Sequence, residues 1–212
     1  PVIPSKVYGL AKNYEAHAQF MHESGHSEIA HAPEDMVIFS KPSTSVIGPD
    51  DPIVIPSYSN DMNFEPEVAV IMGRIAKNVP VEKAMDYVLG FTCVNDVTLR
   101  DLQGLDPMWT RAKGFDTSCP LGPWIQTELD WKDAKISFTL NGEDVPMASG
   151  TTANLIHGIP EQIAAISSFS TLLPGDVIMT GTPNASGHLD PGDEPIVHVA
   201  GIGSLRNVVV RG

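Results

Sequence analysis

The apolar run Val68-Ala69-Val70-Ile71-Met72 continues without a break from Phe64-Glu65-Pro66-Glu67. It is too apolar to be a solvated edge strand. Residues two apart on a strand project from the same side, so Glu65 and Glu67 would point together into a cleft or the interior. Two carboxylates that close are costly unless a cation neutralises them, and a divalent ion does so most simply. The alternative is a pair of solvated glutamates at a strand entrance, a common surface arrangement.

A third acid, Asp96, follows the apolar stretch Val88-Val94 and precedes a short helix expected at Leu99-Gln103. An acid there can cap the helix. It can also join Glu65 and Glu67 in an all-oxygen shell, which suits Mg²⁺, Mn²⁺ or Ca²⁺ rather than zinc or copper. Three protein oxygens would leave half of an octahedral shell open to water or a chelating substrate, which is a catalytic geometry.

The formal net charge of −13 over 212 residues argues against nucleic acid or an anionic membrane as partner. An anionic small substrate would then need a local positive centre, which a bound metal would supply. No stretch approaches the ~20 apolar residues of a membrane span, and no signal-peptide pattern opens the chain. Cys93 and Cys119, the only cysteines, have no metal-type pairing and read as reduced, inert thiols of a cytoplasmic protein. The chain begins at Pro1 rather than Met, so a native N-terminal segment can be missing.

Eighteen Gly and eighteen Pro punctuate short β-branched runs, the pattern of a strand-rich fold with many turns. Strands are expected at Met36-Phe39, Ile53-Ile55, Glu67-Met72, Val88-Val94, Trp124-Gln126, Ile136-Leu140, Val177-Thr180, Ile196-Val199 and Ser204-Val210. Asn141-Gly142 reads as a tight turn into Glu143-Val145. Helices are expected at Val81-Tyr87 and Pro160-Phe169, the latter with Ile163, Ile166 and Phe169 on one stripe. Residues 13–33 hold His17, His22, His26 and His31 with little apolar periodicity, and read as a mobile surface loop or lid. The spacings of these histidines fit no strong zinc pattern.

Six blocks together resemble the fumarylacetoacetate hydrolase family: Gly9-Leu-Ala-Lys-Asn-Tyr-Glu-Ala-His17, Phe39-Ser-Lys-Pro-Ser43, Phe64-Glu-Pro-Glu67, Asn95-Asp-Val-Thr-Leu-Arg-Asp-Leu-Gln103, Trp109-Thr-Arg-Ala-Lys-Gly-Phe-Asp-Thr-Ser-Cys-Pro120 and Pro174-Gly-Asp-Val-Ile-Met-Thr-Gly-Thr-Pro183. They occur in order over nearly the whole chain. The resemblance implies an α+β, predominantly β fold, a rolled β-sandwich with short helices. It divides the chain into an N-terminal strand and mobile lid (1–35) and a catalytic domain (36–212), usually paired as a homodimer. Glu65, Glu67 and Asp96 would ligate Mg²⁺ or Mn²⁺. Lys113 would sit near the metal and hold substrate oxygens, Gln103 and Thr182 would line the pocket, and Lys12 would contact a substrate carboxylate.

By the same resemblance His17 matches a lid histidine that activates water in hydrolytic members. Relatives commonly carry a glutamate three residues later, where a carboxylate can orient the imidazole. Here that position is Phe20, so either Glu23 takes over through a rearranged lid or the dyad is absent. The implied substrate is a small 2-oxo acid whose head chelates the metal and whose enolate at carbon 3 is stabilised. Decarboxylation of oxaloacetate or hydrolysis of an acylpyruvate or fumarylpyruvate is the leading expectation. Isomerisation or tautomerisation of an unsaturated 2-hydroxy dioic acid is the alternative, and a non-catalytic metal-binding scaffold is the rival from another class. Phe20 tilts the choice away from hydrolysis.

Overall fold

The computed structural model describes residues 2–28 and 30–212, so Pro1 and Ile29, within the expected N-terminal segment, lie outside the described residues. In chain order the strands are β1 (Val7–Ala11), β2 (Val37–Lys41), β3 (Val46–Ile47), β4 (Pro52–Ile55), β5 (Met62–Phe64), β6 (Pro66–Met72), β7 (Val88–Asn95), β8 (Thr98–Leu99) and β9 (Cys119–Gln126). They continue as β10 (Lys135–Leu140), β11 (Glu143–Asp144), β12 (Gly150–Thr151), β13 (Val177–Met179), β14 (Gly187–His188), β15 (Pro195–Val199), β16 (Gly203–Arg206) and β17 (Val208–Arg211). The α-helices are α1 (Glu15–Glu23), α2 (Arg100–Gln103), α3 (Thr110–Lys113) and α4 (Ile159–Phe169). The fold is predominantly β, as expected.

A seven-stranded curled sheet in the order β2-β1-β13-β6-β7-β9-β3 forms the body. A second sheet, β11-β10-β15-β16 with β12 joined to β10, packs on one of its faces. The period of two in β6 divides two apolar clusters. Val68, Val70 and Met72 enter the larger one with Phe138, Ile136 and Val197 of the second sheet. Ala69 and Ile71 enter a smaller one with Val7, Phe39, Leu121 and Met179 on the opposite face. Every residue of β6 is buried, which explains its unbroken apolar composition. By contrast, β10 alternates buried Ile136 and Phe138 with exposed Lys135 and Ser137, as a strand with one wet face must. Phe64 of β5, which pairs with β14 and β8 in a small three-stranded sheet, stacks on Phe138 of the second sheet at 4.0 Å between ring centroids.

Several boundaries differ from expectation. The stretch expected as a single strand at Ser204-Val210 is two strands. Asn207 breaks it by donating its side-chain amide to Gly48 O and Asp51 O, so β16 joins β15 while β17 runs parallel to β4. Val81–Tyr87 is a 3₁₀ rather than an α-helix. Residues 13–33, expected as a loop, contain α1, which buries His17, Ala18 and Met21. Only one of those three is strongly apolar, so the periodicity that marks a helix was faint. Asn13 fastens the start of α1 by donating to Thr180 O and His157 O and accepting from His157 N. Asn141 and Gly142, at φ 55° and 82°, make the expected tight turn between β10 and β11. No helix among the described residues is long and apolar enough to cross a membrane.

Candidate active site

The β6–β7 pairing assembles the acids. Pro66 lies opposite Asn95, so the residues just outside the ladder, Glu65 and Asp96, face one another. Two bonds lock that corner: Asn95 Oδ1 accepts from Glu65 N at 2.9 Å, and Glu65 O accepts from Asp96 N at 2.9 Å. Glu65 and Glu67 share the β6 face that looks toward the smaller cluster. Oxygens of Glu65, Glu67 and Asp96 all lie within 4.8 Å of one another, and the three residues are 4%, 2% and 1% exposed. A surface pair of glutamates is therefore ruled out by burial.

Buried carboxylates need counter-charges, and three cations converge. Lys113, on the last turn of α3, brings Nζ to 2.7 Å from Glu65 Oε2 and 2.5 Å from Asp96 Oδ2. Arg100, at the start of α2, pairs with Glu65 Oε1 and donates to Ser186 Oγ at 2.7 Å and Gln103 Oε1 at 2.7 Å. Lys41 lies 2.8 Å from Asp96 Oδ1 while donating to Val97 O at 3.1 Å, to Ser118 O at 2.8 Å and to Lys113 O. Although close, Lys41 is not aligned to give Asp96 Oδ1 a hydrogen bond, so that buried oxygen accepts none.

The electrostatics divide the acids by role. Burial alone would raise Glu65, but Arg100 and Lys113 hold its carboxyl well below the usual range. Glu67 has no cation of its own. Burial first, then Asp96 and Glu65, push it well above the usual value, and the nearby charge of Lys113 and the 2.7 Å bond from Gly181 N offset this only in part. Gly181 sits at φ 104°, and a Cβ there would come within 3.0 Å of Asn13 and 3.2 Å of Leu10 O, so only glycine brings that N–H to Glu67. Burial would lower Lys113, yet Asp96 and Glu65 raise it, and it stays an ammonium. The donor set thus fits a hard divalent ion: three carboxylates, one of them uncompensated, and a buried oxygen without a hydrogen donor.

The acids open onto a cavity of about 230 Å³, lined also by Lys12, His17, Arg100, Gln103, Lys113 and Thr182. That volume falls below the range typical of drug-sized ligand pockets, so a small substrate fits best. Thr182 Oγ1 donates to Pro66 O at 3.0 Å. His17 Nδ1 is 2.6 Å from Asn184 O. A carbonyl only accepts, so Nδ1 carries the proton and Nε2 keeps its lone pair. Burial lowers the His17 pKa to about 4, so the ring is neutral at neutral pH. Phe20 stacks on it at 6.4 Å. Glu23 does not reach His17. It is exposed and accepts from Gln19 Nε2 at 2.8 Å, one helical turn away, because six residues along α1 turn it off the face that carries His17.

Eight of the nine expected site residues therefore line one cavity, and Glu23 stands apart. Arg100 and Lys41 were missed. Each lies inside a motif block, and the signal for both was the count of buried carboxylates, which demands more than one lysine.

The profile described as fumarylacetoacetate (FAA) hydrolase C-terminal matches residues 6–210. A mitochondrial oxaloacetate tautomerase of Rattus norvegicus is 37% identical over 218 residues, covering 98% of this chain and 67% of that protein. The crystal structure of 5-carboxymethyl-2-hydroxymuconate delta-isomerase from Mycobacterium smegmatis superposes with a TM-score of 0.90 at 45% identity, covering 100% of this chain and 81% of that one. Fumarylpyruvate hydrolase from Pseudomonas aeruginosa, in complex with Mn²⁺ and pyruvate, superposes with a TM-score of 0.87 at 29% identity, covering 98% of this chain and 90% of that one.

Proposed function

Because this chain belongs to the fumarylacetoacetate hydrolase family, we propose that it tautomerises a small 2-oxo acid of the oxaloacetate kind, moving a proton between carbon 3 and the 2-oxo oxygen. Glu65, Glu67 and Asp96 would hold a Mg²⁺ or Mn²⁺ for this purpose. When bound, that ion would act as a Lewis acid on the carboxylate and 2-oxo oxygens of the substrate head.

The observation that carries the reading is the pairing of His17 with a backbone carbonyl rather than a carboxylate. A hydrolase must draw a proton from water, and a carboxylate behind the imidazole stabilises the imidazolium that results. Asn184 O fixes the tautomer but brings no full charge. A neutral Nε2 of low basicity still suffices for the C–H at carbon 3, already acidified by its flanking carbonyls. In that step the C3–H bond breaks, its proton goes to His17 Nε2, and its electron pair becomes the C2–C3 double bond. The Lys113 ammonium donates to the oxygen that gains charge, and Arg100 and Gln103 orient the carboxylate head. Returning the proton to that oxygen completes the exchange and regenerates neutral His17.

Acylpyruvate-type hydrolysis is the second reading, favoured by the likeness to the fumarylpyruvate hydrolase. Decarboxylation of oxaloacetate shares the same head group. The deciding assay follows oxaloacetate tautomer exchange, oxaloacetate decarboxylation and cleavage of acetylpyruvate and fumarylpyruvate, each with and without Mg²⁺ or Mn²⁺. Tautomer exchange should be the fastest metal-dependent reaction. Cleavage outrunning it would replace the first reading with the second.

His17→Ala should slow tautomerisation by about 10²–10⁴-fold, the usual worth of a positioned base, and decarboxylation far less. The wild-type kcat/KM should be level above about pH 5 and fall on acidification through the His17 pKa of about 4, as the base form is lost. Equal losses in both reactions, or an unchanged acid limb in the variant, would remove His17 from the mechanism.

A further inference from the structure

The Lys113 ammonium rests against an aromatic ring as well as two acids. Its Nζ lies 4.9 Å from the centre of the Phe39 ring, within the range of a cation–π contact. Phe39 is buried and lines the cavity. Two neighbours hold the ring there. Phe39 sits opposite Gly9 in the β1–β2 pairing, and a Cβ on Gly9 would come within 2.2 Å of Phe39 Cζ and 2.7 Å of both Cε atoms. Only glycine lets the ring lie so close across the neighbouring strand. Trp109 meets Phe39 edge to face, at 6.0 Å between ring centroids and 67° between planes. Trp109 itself stands at φ 55°, in the left-handed region where a residue bearing a Cβ is strained, and its carbonyl accepts from Lys113 N at 2.8 Å. Gly9, Phe39 and Trp109 each open one of the six sequence blocks, and the proposed chemistry gives none of the three a role.

We propose that Phe39 is a positioning residue whose ring fixes the Lys113 ammonium where it donates to the substrate oxygen that gains charge, with Gly9 and Trp109 seating the ring. The inference rests on the part given to Lys113 in the proposed reaction. Glu65 and Asp96 take two of the ammonium's three hydrogens, and both would also be ligands of a bound ion. Charge that those carboxylates share with an ion is lost in part to Lys113. The ring ligates nothing, so its attraction for the ammonium is kept, and it strengthens as water is excluded from the cavity.

The test replaces Phe39 with mono-, di- and trifluorophenylalanine, which keep the shape of the ring while draining negative charge from its face. The first readout is calorimetric binding of oxalate, a stable stand-in for the enolate head, in saturating Mg²⁺. Its affinity should fall stepwise with each fluorine, by about ten- to thirtyfold over the series, the usual worth of a desolvated cation–π contact. The second is oxaloacetate tautomer exchange, where kcat should fall in the same order with KM nearly unchanged, because the oxygen gains its charge only in the transition state. Melting temperature and Mg²⁺ affinity should not follow the series, which separates aiming from packing. Phe39→Leu should lose at least as much as the trifluoro protein; should it fold poorly, the fluorinated series carries the comparison alone. Oxalate affinity and kcat that stay level from phenylalanine to its trifluoro form would overturn the proposal, as would losses that track the melting temperature instead of the fluorine count. Oxalate affinity that falls along the series in a protein without tautomer exchange would sink the proposed reaction and leave the role of Phe39 standing.

Discussion

Glu67→Gln is expected to abolish retention of Mg²⁺ or Mn²⁺ and to lower metal-dependent turnover by about 10³-fold or more, since Lewis-acid assistance is worth several kcal/mol and each 1.4 kcal/mol is tenfold. The same substitution should stabilise the metal-free protein. Glu67 is nearly isosteric with glutamine, its bond from Gly181 N survives, and the change deletes a charge buried beside Asp96 and Glu65. The pH dependence follows from the direction of its shift. A carboxyl whose folded-state pKa is raised binds its proton more tightly when folded, so stability is lost as pH climbs from its usual 4.5 through the raised value. Metal-free wild type should show that loss, the Gln variant should not, and saturating Mg²⁺ should suppress it. Thermal melts across pH with and without chelator, paired with metal titration, check all three. Unaltered metal affinity in the variant would dismantle the site. Glu65→Ala should also lose the metal but destabilise the fold, because it leaves Arg100 without its buried carboxylate and Lys113 with Asp96 alone.

Lys41→Met should be the most damaging single change to stability among the residues around the site, by about 3–5 kcal/mol, the cost of breaking a buried ion pair from one side. Its side chain is fully buried, and its ammonium holds three carbonyls, those of Val97, Lys113 and Ser118, beside Asp96. Methionine fills the same space and donates nothing, so Val97 O would lose its hydrogen donor and Asp96 a buried counter-charge. Ser118 O and Lys113 O would each keep one donor, Val97 N and Ser118 Oγ. A fall in melting temperature of about 10 °C is expected for a chain of this size. A shift of less than about 2 °C would mean that Val97 O finds another donor and Asp96 another counter-charge. Because Lys41 also holds the carbonyl of Lys113, metal affinity should fall with stability, whereas a peripheral core lesion would lower stability alone.

Much of this was legible one residue at a time. The β6 segment declared itself because a strand buried on both faces must be apolar throughout, and Glu65 and Glu67 declared their common direction because side chains on a strand alternate. Motif blocks then identified the family and collected Lys113, Gln103 and Thr182. Helix α1 stayed hidden, since its buried face is made of a histidine, an alanine and a methionine rather than a stripe of large apolar groups. Lys41 and Arg100 stayed hidden for another reason: a lysine in a strand and an arginine in a short helix are ordinarily solvated, and their burial is caused by acids many residues away.

The chain by itself determined its strand-rich class, the common direction of Glu65 and Glu67 and its family, because each depends on periodicities or on short blocks whose residues lie within a few positions of one another. Only the tertiary structure decided who neutralises whom. It set Lys41, Arg100 and Lys113 against two of the three acids, left Glu67 uncompensated, turned Glu23 out to solvent and gave His17 a carbonyl in place of a carboxylate. Those pairings join positions up to 167 residues apart. Coulomb energies and hydrogen bonds depend on separation in space, which no local pattern encodes.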